Sequence, residues 1–175
     1  MGNLPQLILR IDLSAFTPCA LPEGYTAHTH TEGNEAVWEE IIGDAFGMHF
    51  DFDFLIKAGN YDPRYVFYIT KDGRDLATAT ATENPAYPGE GWLRMIGARS
   101  EEHGKGLGKA AVSQALASLV ARGFKTALLS TDDHRTAALC TYLSLGFRPV
   151  YSHESHKERW ATLKSTLPTK YADMI

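Results

Sequence analysis

A single change of period organises this chain. Up to Ala98 its apolar residues mostly alternate, in short runs: Leu7–Leu13, Tyr25–His30, Tyr65–Thr70, Leu76–Glu83 and Gly91–Ala98. Alternation sends every second side chain to one face, the pattern of half-buried strands. From Gly106 to Arg122 the repeat is helical, with Leu107, Ala111, Ala115 and Leu119 on one stripe and Gly123 as the stop. A strand, Thr126–Thr131, a helix, Arg135–Leu145, and two strands, Phe147–Tyr151 and Arg159–Lys164, complete the order. Hairpin-linked strands pair antiparallel, and a strand-helix-strand crossover makes a parallel pair. The chain therefore specifies an α/β fold with a mixed sheet.

Within the meander, Asn34 is placed to begin a helix over Glu35–Phe46, with Val37, Ile41, Ile42 and Ala45 on one face and Gly47 as its end. A short helix is expected over Asp53–Ala58. Asp72-Gly73, between two strand patterns, signals a hairpin.

The 175 residues suffice for one core without disulfides or metals. A single domain over 1–175 is expected, with 1–24 an N-terminal extension whose strand Leu7–Leu13 pairs within the chain or across a homodimer. A net charge of −4 does not suit nucleic acid, which calls for a basic stripe. No window reaches the roughly 20 apolar residues of a membrane span. MGNLPQ lacks a basic segment followed by an apolar one, and Gln6 departs from the myristoylation pattern. Cys19 and Cys140 form no metal or redox spacing. A cytoplasmic location and no membrane partner follow as expectations.

The chemistry concentrates in HGKGLGKA, His103–Ala110. Gly106-Leu107-Gly108-Lys109-Ala110-Ala111 satisfies the dinucleotide pattern G-x-G-x-x-(G/A), with Asp132 downstream. Context opposes that reading. The polar stretch RSEEHGK separates the preceding strand from Gly106, and too few residues follow Asp132 for a second mononucleotide half. A helix N-terminus with unpaired N–H groups nonetheless receives phosphate well. Gly104, Gly106 and Gly108 let it approach, and Lys105 and Lys109 add charge.

The stretch from about Leu21 to Leu163 resembles the GNAT superfamily of acetyl-CoA-dependent N-acetyltransferases. Its signature (Gln or Arg, two free positions, Gly, one free position, Gly or Ala) is met by His103 to Gly108, with His103 the departure. Ala138, Tyr142 and Gly146-Phe147 match the family segment A-x-x-x-Y-x-x-x-G-F, and Arg135 stands where Asn is frequent.

The resemblance implies a central, mostly antiparallel sheet with a parallel pair of strands around an acyl-CoA cleft and helices on both faces. It implies transfer of an acetyl group from acetyl-CoA, as co-substrate, to a primary amine by direct attack in a ternary complex. The acceptor would be a small-molecule or peptide amine. Ile96 and Ala98 would pair with the pantetheine arm, and an N–H near Ile96 or Gly97 would receive the oxyanion. His103, Gly104, Lys105, Gly106, Leu107, Gly108, Lys109 and Arg135 would hold the phosphates. Tyr142 would serve the leaving thiolate as general acid. The fourth-strand carboxylate of many family members is missing. Glu83 and Glu90 are therefore the candidate bases, and Arg94 a candidate contact for a substrate carboxylate.

Phe50, Phe52, Phe54, Tyr87 and His153 are candidate acceptor-lining residues. His49 with Asp51 and Asp53, and His153 with His156, lack the further ligands of a metal site, and no metal is expected. The missing carboxylate and His103 leave an alternative, a non-catalytic GNAT-fold module that binds acyl-CoA or regulates.

Overall fold

A computed structural model describes residues 4–57, 59 and 61–175. Its strands are β1 (Leu7–Asp12), β2 (Thr26–Thr29), β3 (Val66–Lys71), β4 (Arg74–Glu83), β5 (Gly91–Ala98), β6 (Thr126–Thr131) and β7 (Arg148–Val150). Its helices are α1 (Glu35–Phe46), α2 (Leu107–Ala121), α3 (Thr136–Leu145), α4 (Glu154–Thr166) and α5 (Thr169–Ala172). The strands form one sheet in the order β2-β3-β4-β5-β6-β1-β7. Every neighbouring pair is antiparallel except β5 and β6. This is the mixed α/β sheet that the order of periods specifies.

Local chemistry explains most boundaries. Asp72 and Gly73 both take positive φ, 50° and 75°, as a tight hairpin turn between right-twisted strands requires. Gly47 and Gly146 close α1 and α3 in the left-handed conformation. The Ala-Thr alternation of β4 sends Ala77, Ala79 and Ala81 into one cluster with Ala111, Ala115 and Leu116 of α2. Their small side chains let the helix lie close to the sheet. On the opposite face, Val66 and Tyr68 of β3 pack with Trp38, Ile41 and Ile42 of α1. The segment after α1 forms a single π-type turn over Asp53–Lys57, and Ala58, where a short helix was expected to end, lies outside the described residues.

The expected strand Arg159–Lys164 is instead the middle of α4. His156, Trp160, Leu163 and Leu167 are all buried and follow helical spacing, which outweighs the local alternation. His153 caps the helix, its Nδ1 accepting the Ser155 N–H at 3.2 Å. The sheet position thereby left open is filled by β1. Leu9 stands opposite Leu129 of β6 on one side and Pro149 of β7 on the other. The N-terminal strand thus pairs within the chain, as an interior strand, with Leu7, Leu9 and Ile11 buried.

Candidate active site

The site begins where two strands part. β5 and β6 are paired only over Gly91–Leu93 and Ala127–Leu129. Beyond Leu93 they diverge, so Ile96, Gly97 and Ala98 present one backbone edge without a strand partner. Their other edge pairs with β4, where the register shifts between Thr78 opposite Gly97 and Thr80 opposite Arg94. Met95 and Ile96 thus share the single partner Ala79, a β-bulge that leaves one residue's polar groups out of the ladder. Met95 takes φ 49°, sparsely populated by non-glycine residues. Gly97 admits α1, since a Cβ there would lie 2.8 Å from that of Ala45.

The loop after β5 is clamped from α1. Arg99 donates to Glu40 at 2.9 Å and to the Asp75 carbonyl at 3.0 Å, and the Ser100 N–H donates to Asp44 at 2.6 Å. That backbone hydrogen bond holds the Asp44 carboxyl below the usual range. Gly104 and Gly106 then adopt φ 82° and 78°. α2 starts with Gly106 at its cap, and the first turn leaves the N–H groups of Leu107, Gly108 and Lys109 without i−4 carbonyls.

A Cβ placed on Gly104, Gly106 or Gly108 would meet nothing within 4 Å. For the first two, φ accounts for glycine. Gly108 has neither a positive φ nor a packing neighbour, although glycine within a helix costs about 0.5–1 kcal/mol relative to alanine. The open space above it faces the cleft, a shape suited to an anionic group resting on the helix N-terminus.

Across the cleft stands α3. Tyr142 is buried, its ring edge-on to Phe147 at 6.0 Å between centroids, and it borders the cavity. Burial pushes its phenol up to about 12, against a smaller opposing effect of Arg135. Arg135 lies over the Phe46 ring.

A cavity of about 950 Å³ brings together Ile96, Gly97, Ala98, His103, Gly104, Gly106, Leu107, Gly108, Lys109, Arg135 and Tyr142. Lys105 is not on its wall and pairs with Glu102 at 2.9 Å. Neither Glu83 nor Glu90 reaches it. Glu83 borders a separate cavity of about 580 Å³ and pairs with Arg122 at 2.8 Å. Glu90 is held by Arg10 at 2.6 Å and Thr126 at 2.8 Å. Both acids flank Gly91, on the order of 15 Å along β5 from Ile96.

The expected acceptor-lining residues are also elsewhere. Phe52 is buried against Trp38, Phe54 is exposed, and His153 caps α4. Tyr87 stacks on Trp92 beside the second cavity. Phe50 packs edge-on against Phe46, 5.4 Å between ring centroids, and is not on the cavity wall. Arg94 lies over the Tyr61 ring at 5.3 Å.

Several wall residues escape a motif-based reading. Ala137, Cys140, Thr141 and Ser144 form a small-residue face on α3, legible in sequence as an i, i+3, i+4, i+7 pattern. His134 follows β6, and Lys170, Tyr171 and Met174 come from the C-terminus. No group of three or more potential metal-ligating side chains occurs among the described residues.

A parallel pair splayed at a bulge, above a glycine-lined helix entry, defines an acetyltransferase-type α/β fold. Residues 27–147 match the acetyltransferase (GNAT) family, and the chain belongs to it. The mycothiol acetyltransferase of Streptomyces griseus is 32% identical over 136 residues, covering 73% of this chain and 44% of that protein. That of Streptomyces scabiei is 31% identical over 150 residues, covering 79% and 48%. The chain thus spans about half the length of these relatives. A GCN5-related N-acetyltransferase from Sphaerobacter thermophilus superposes with a TM-score of 0.69 at 25% identity, covering 85% of this chain and 50% of that one.

Proposed function

We propose that this chain transfers an acetyl group from acetyl-CoA to the primary amine of a small molecule, by direct attack in a ternary complex. The observation that carries the proposal is the meeting, in one cavity, of the Gly104–Gly108 cradle and Tyr142 across a splayed strand pair. The open space at Gly108 fits a pyrophosphate and has no packing explanation within the chain. The mycothiol acetyltransferase relatives support a small-molecule acceptor.

Acetyl-CoA supplies the activated thioester. The backbone edge of Ile96 and Ala98 would hold its arm as an added strand would, and the N–H groups of the first α2 turn would receive its pyrophosphate. Lys109 adds charge at the same wall, while Lys105 acts through Glu102 to shape the loop. A backbone N–H near Ile96 or Gly97, beside the bulge, would stabilise charge developing on the carbonyl oxygen.

Tyr142 faces the departing sulfur. A phenol near 12 gives its proton to an alkyl thiolate near 8.5 only at a cost of roughly 5 kcal/mol. Its role is therefore to donate a hydrogen bond as the C–S bond breaks, and the proton that the attacking amine gives up neutralises the thiolate as CoA leaves as the thiol. Glu83 and Glu90 are committed to arginines outside the cleft and are not assigned as bases.

The test is CoA thiol release from acetyl-CoA across a panel of small amines, with calorimetric titration of CoA. Release with at least one amine is expected. Binding of CoA without release for any amine would favour a non-catalytic module, and no binding would overturn the assignment of the cleft.

A further inference from the structure

The cleft has a wall that lies outside the 27–147 family match. The chain continues through α4 and Pro168 into α5, which returns against α3 and places Lys170, Tyr171 and Met174 on the same cavity as the glycine cradle. This wall is anchored. Leu167 and Ala172 are buried, and Tyr171, Met174 and Ile175 pack against the main core. Lys164 Nζ donates to the Ile175 carbonyl at 3.1 Å, tying the segment after α5 to α4.

The chemistry of the wall is uneven in a useful way. Tyr171 and Met174 are half-buried and present flat, polarizable surface. Lys170 is exposed, with its ammonium 4.7 Å from the Tyr171 ring centroid and no ion-pair partner among the described residues. Lys109 of α2, on the same cavity, is likewise without a carboxylate partner among the described residues. The cavity lined by Gly104, Gly106 and Gly108 thus carries two lysines, Lys109 and Lys170, without carboxylate partners among the described residues. Beyond its pyrophosphate, a CoA ester carries an adenine and a ribose 3′-phosphate. A plane-and-cation corner matches that end of the molecule.

We propose that α5 forms the seat of the 3′-phosphoadenosine end of the acyl-CoA, with Lys170 as its cationic contact and Tyr171 and Met174 as its apolar wall. This rests on the reading of the cleft as an acyl-CoA site and assigns a specificity role to residues outside the family match. The seat selects for the 3′-phosphate as well as for the thioester arm.

The test compares CoA with 3′-dephospho-CoA by calorimetric titration of the full chain and of Lys170→Ala. The wild type should prefer CoA by about five- to tenfold, in line with one exposed charge-assisted contact. Lys170→Ala should lose that preference while binding 3′-dephospho-CoA as the wild type does. Lys170→Glu should reverse it. An unchanged preference in Lys170→Ala, or an equal loss for both ligands, would overturn the assignment of Lys170. Tyr171→Ser should weaken both ligands and leave 4′-phosphopantetheine binding unaltered, and an unaltered CoA affinity would overturn the apolar wall. If the wild type bound neither nucleotide, the cleft reading itself would fall, a result distinct from each of these.

Discussion

The guanidinium of Arg135 lies 3.9 Å from the centroid of the Phe46 ring. One residue opens α3 and the other closes α1, so the stack ties the two helices that flank the splay of β5 and β6. A half-buried cation over an aromatic face contributes about 1 kcal/mol. A double-mutant cycle of Arg135→Ala and Phe46→Ala, read by urea denaturation, should give a coupling of about that size. Arg135→Lys should recover only part of it, because an ammonium lacks the planar face. A coupling near zero would show the stack to be incidental.

Gly108→Ala should separate stability from ligand binding. No atom lies within 4 Å of the new Cβ and the backbone needs no positive φ, so the variant should be more stable by about 0.5 kcal/mol. The same methyl would stand in the cradle, and CoA affinity should fall by roughly tenfold or more. Gly104→Ala and Gly106→Ala should lose both, since each forces a side chain into φ near +80° at a cost of about 1 kcal/mol. Thermal melting with and without CoA distinguishes the two patterns. A stabilised Gly108→Ala with unaltered CoA affinity would remove the cradle from the site.

Tyr142→Phe should lower kcat at least roughly tenfold with little change in CoA affinity. Its pH dependence carries a further expectation. Burial holds the phenol up to about 12, so Tyr142 stays protonated through the neutral range. The variant's pH–rate profile should therefore keep the wild-type shape between about pH 6 and 9 and shift only in height. A raised pKa in the folded state means that this group's contribution to stability is complete below the unfolded value near 10 and is lost as pH rises towards about 12. Alkaline unfolding should begin at higher pH in Tyr142→Phe than in the wild type. A new inflection near neutral pH in the variant would contradict this role.

How far the chain could be read in advance divides along physical lines. Elements carried by local signals were legible: the Asp72-Gly73 hairpin, α1 between Asn34 and Gly47, α2 from the stripe of Leu107, Ala111, Ala115 and Leu119, and the mixed sheet. Of the expected cofactor contacts, Ile96, Gly97, Ala98, His103, Gly104, Gly106, Leu107, Gly108, Lys109 and Arg135 line one cavity, and Lys105 does not. What failed depends on contacts between distant segments. Arg159–Lys164 alternates locally, but Trp160 and Leu163 find a helical environment once β1 has filled the sheet. The bulge at Met95 leaves no mark in GWLRMIGA, because register is set jointly with β4. Glu83 and Glu90 sit beside the right strands in sequence, yet their partners Arg122 and Arg10 arrive from other elements.

Those two partners make a prediction about catalysis. Glu83→Gln and Glu90→Gln should keep kcat within about twofold of the wild type, whereas loss of a general base typically lowers it by about 100-fold or more. Glu90→Gln should instead lower stability by about 0.5 kcal/mol, since it loosens the link from Arg10 of β1 to Thr126 of β6. Steady-state kinetics with the best amine of the panel, alongside urea denaturation, would settle both. A large fall in kcat for either variant would return that acid to the mechanism.

β1 offers the sharpest test of how the sheet is completed. Leu7 and Leu9 are fully buried, and Ile11 and Leu13 are 4% and 3% exposed. At about 1.5–3 kcal/mol per buried aliphatic side chain, these four contribute roughly 6–12 kcal/mol, comparable with the net stability of an ordinary domain. Leu9→Ala, in the middle of the strand, should cost about 2–5 kcal/mol. Removing residues 1–13 should leave β6 and β7 with unpaired edges and the chain without a cooperative thermal transition. A synthetic peptide of residues 4–13, added in excess to the shortened chain, should restore that transition, because β1 enters as a separate antiparallel strand between β6 and β7. A shortened chain that melted at the full-length temperature would show that the sheet closes without β1.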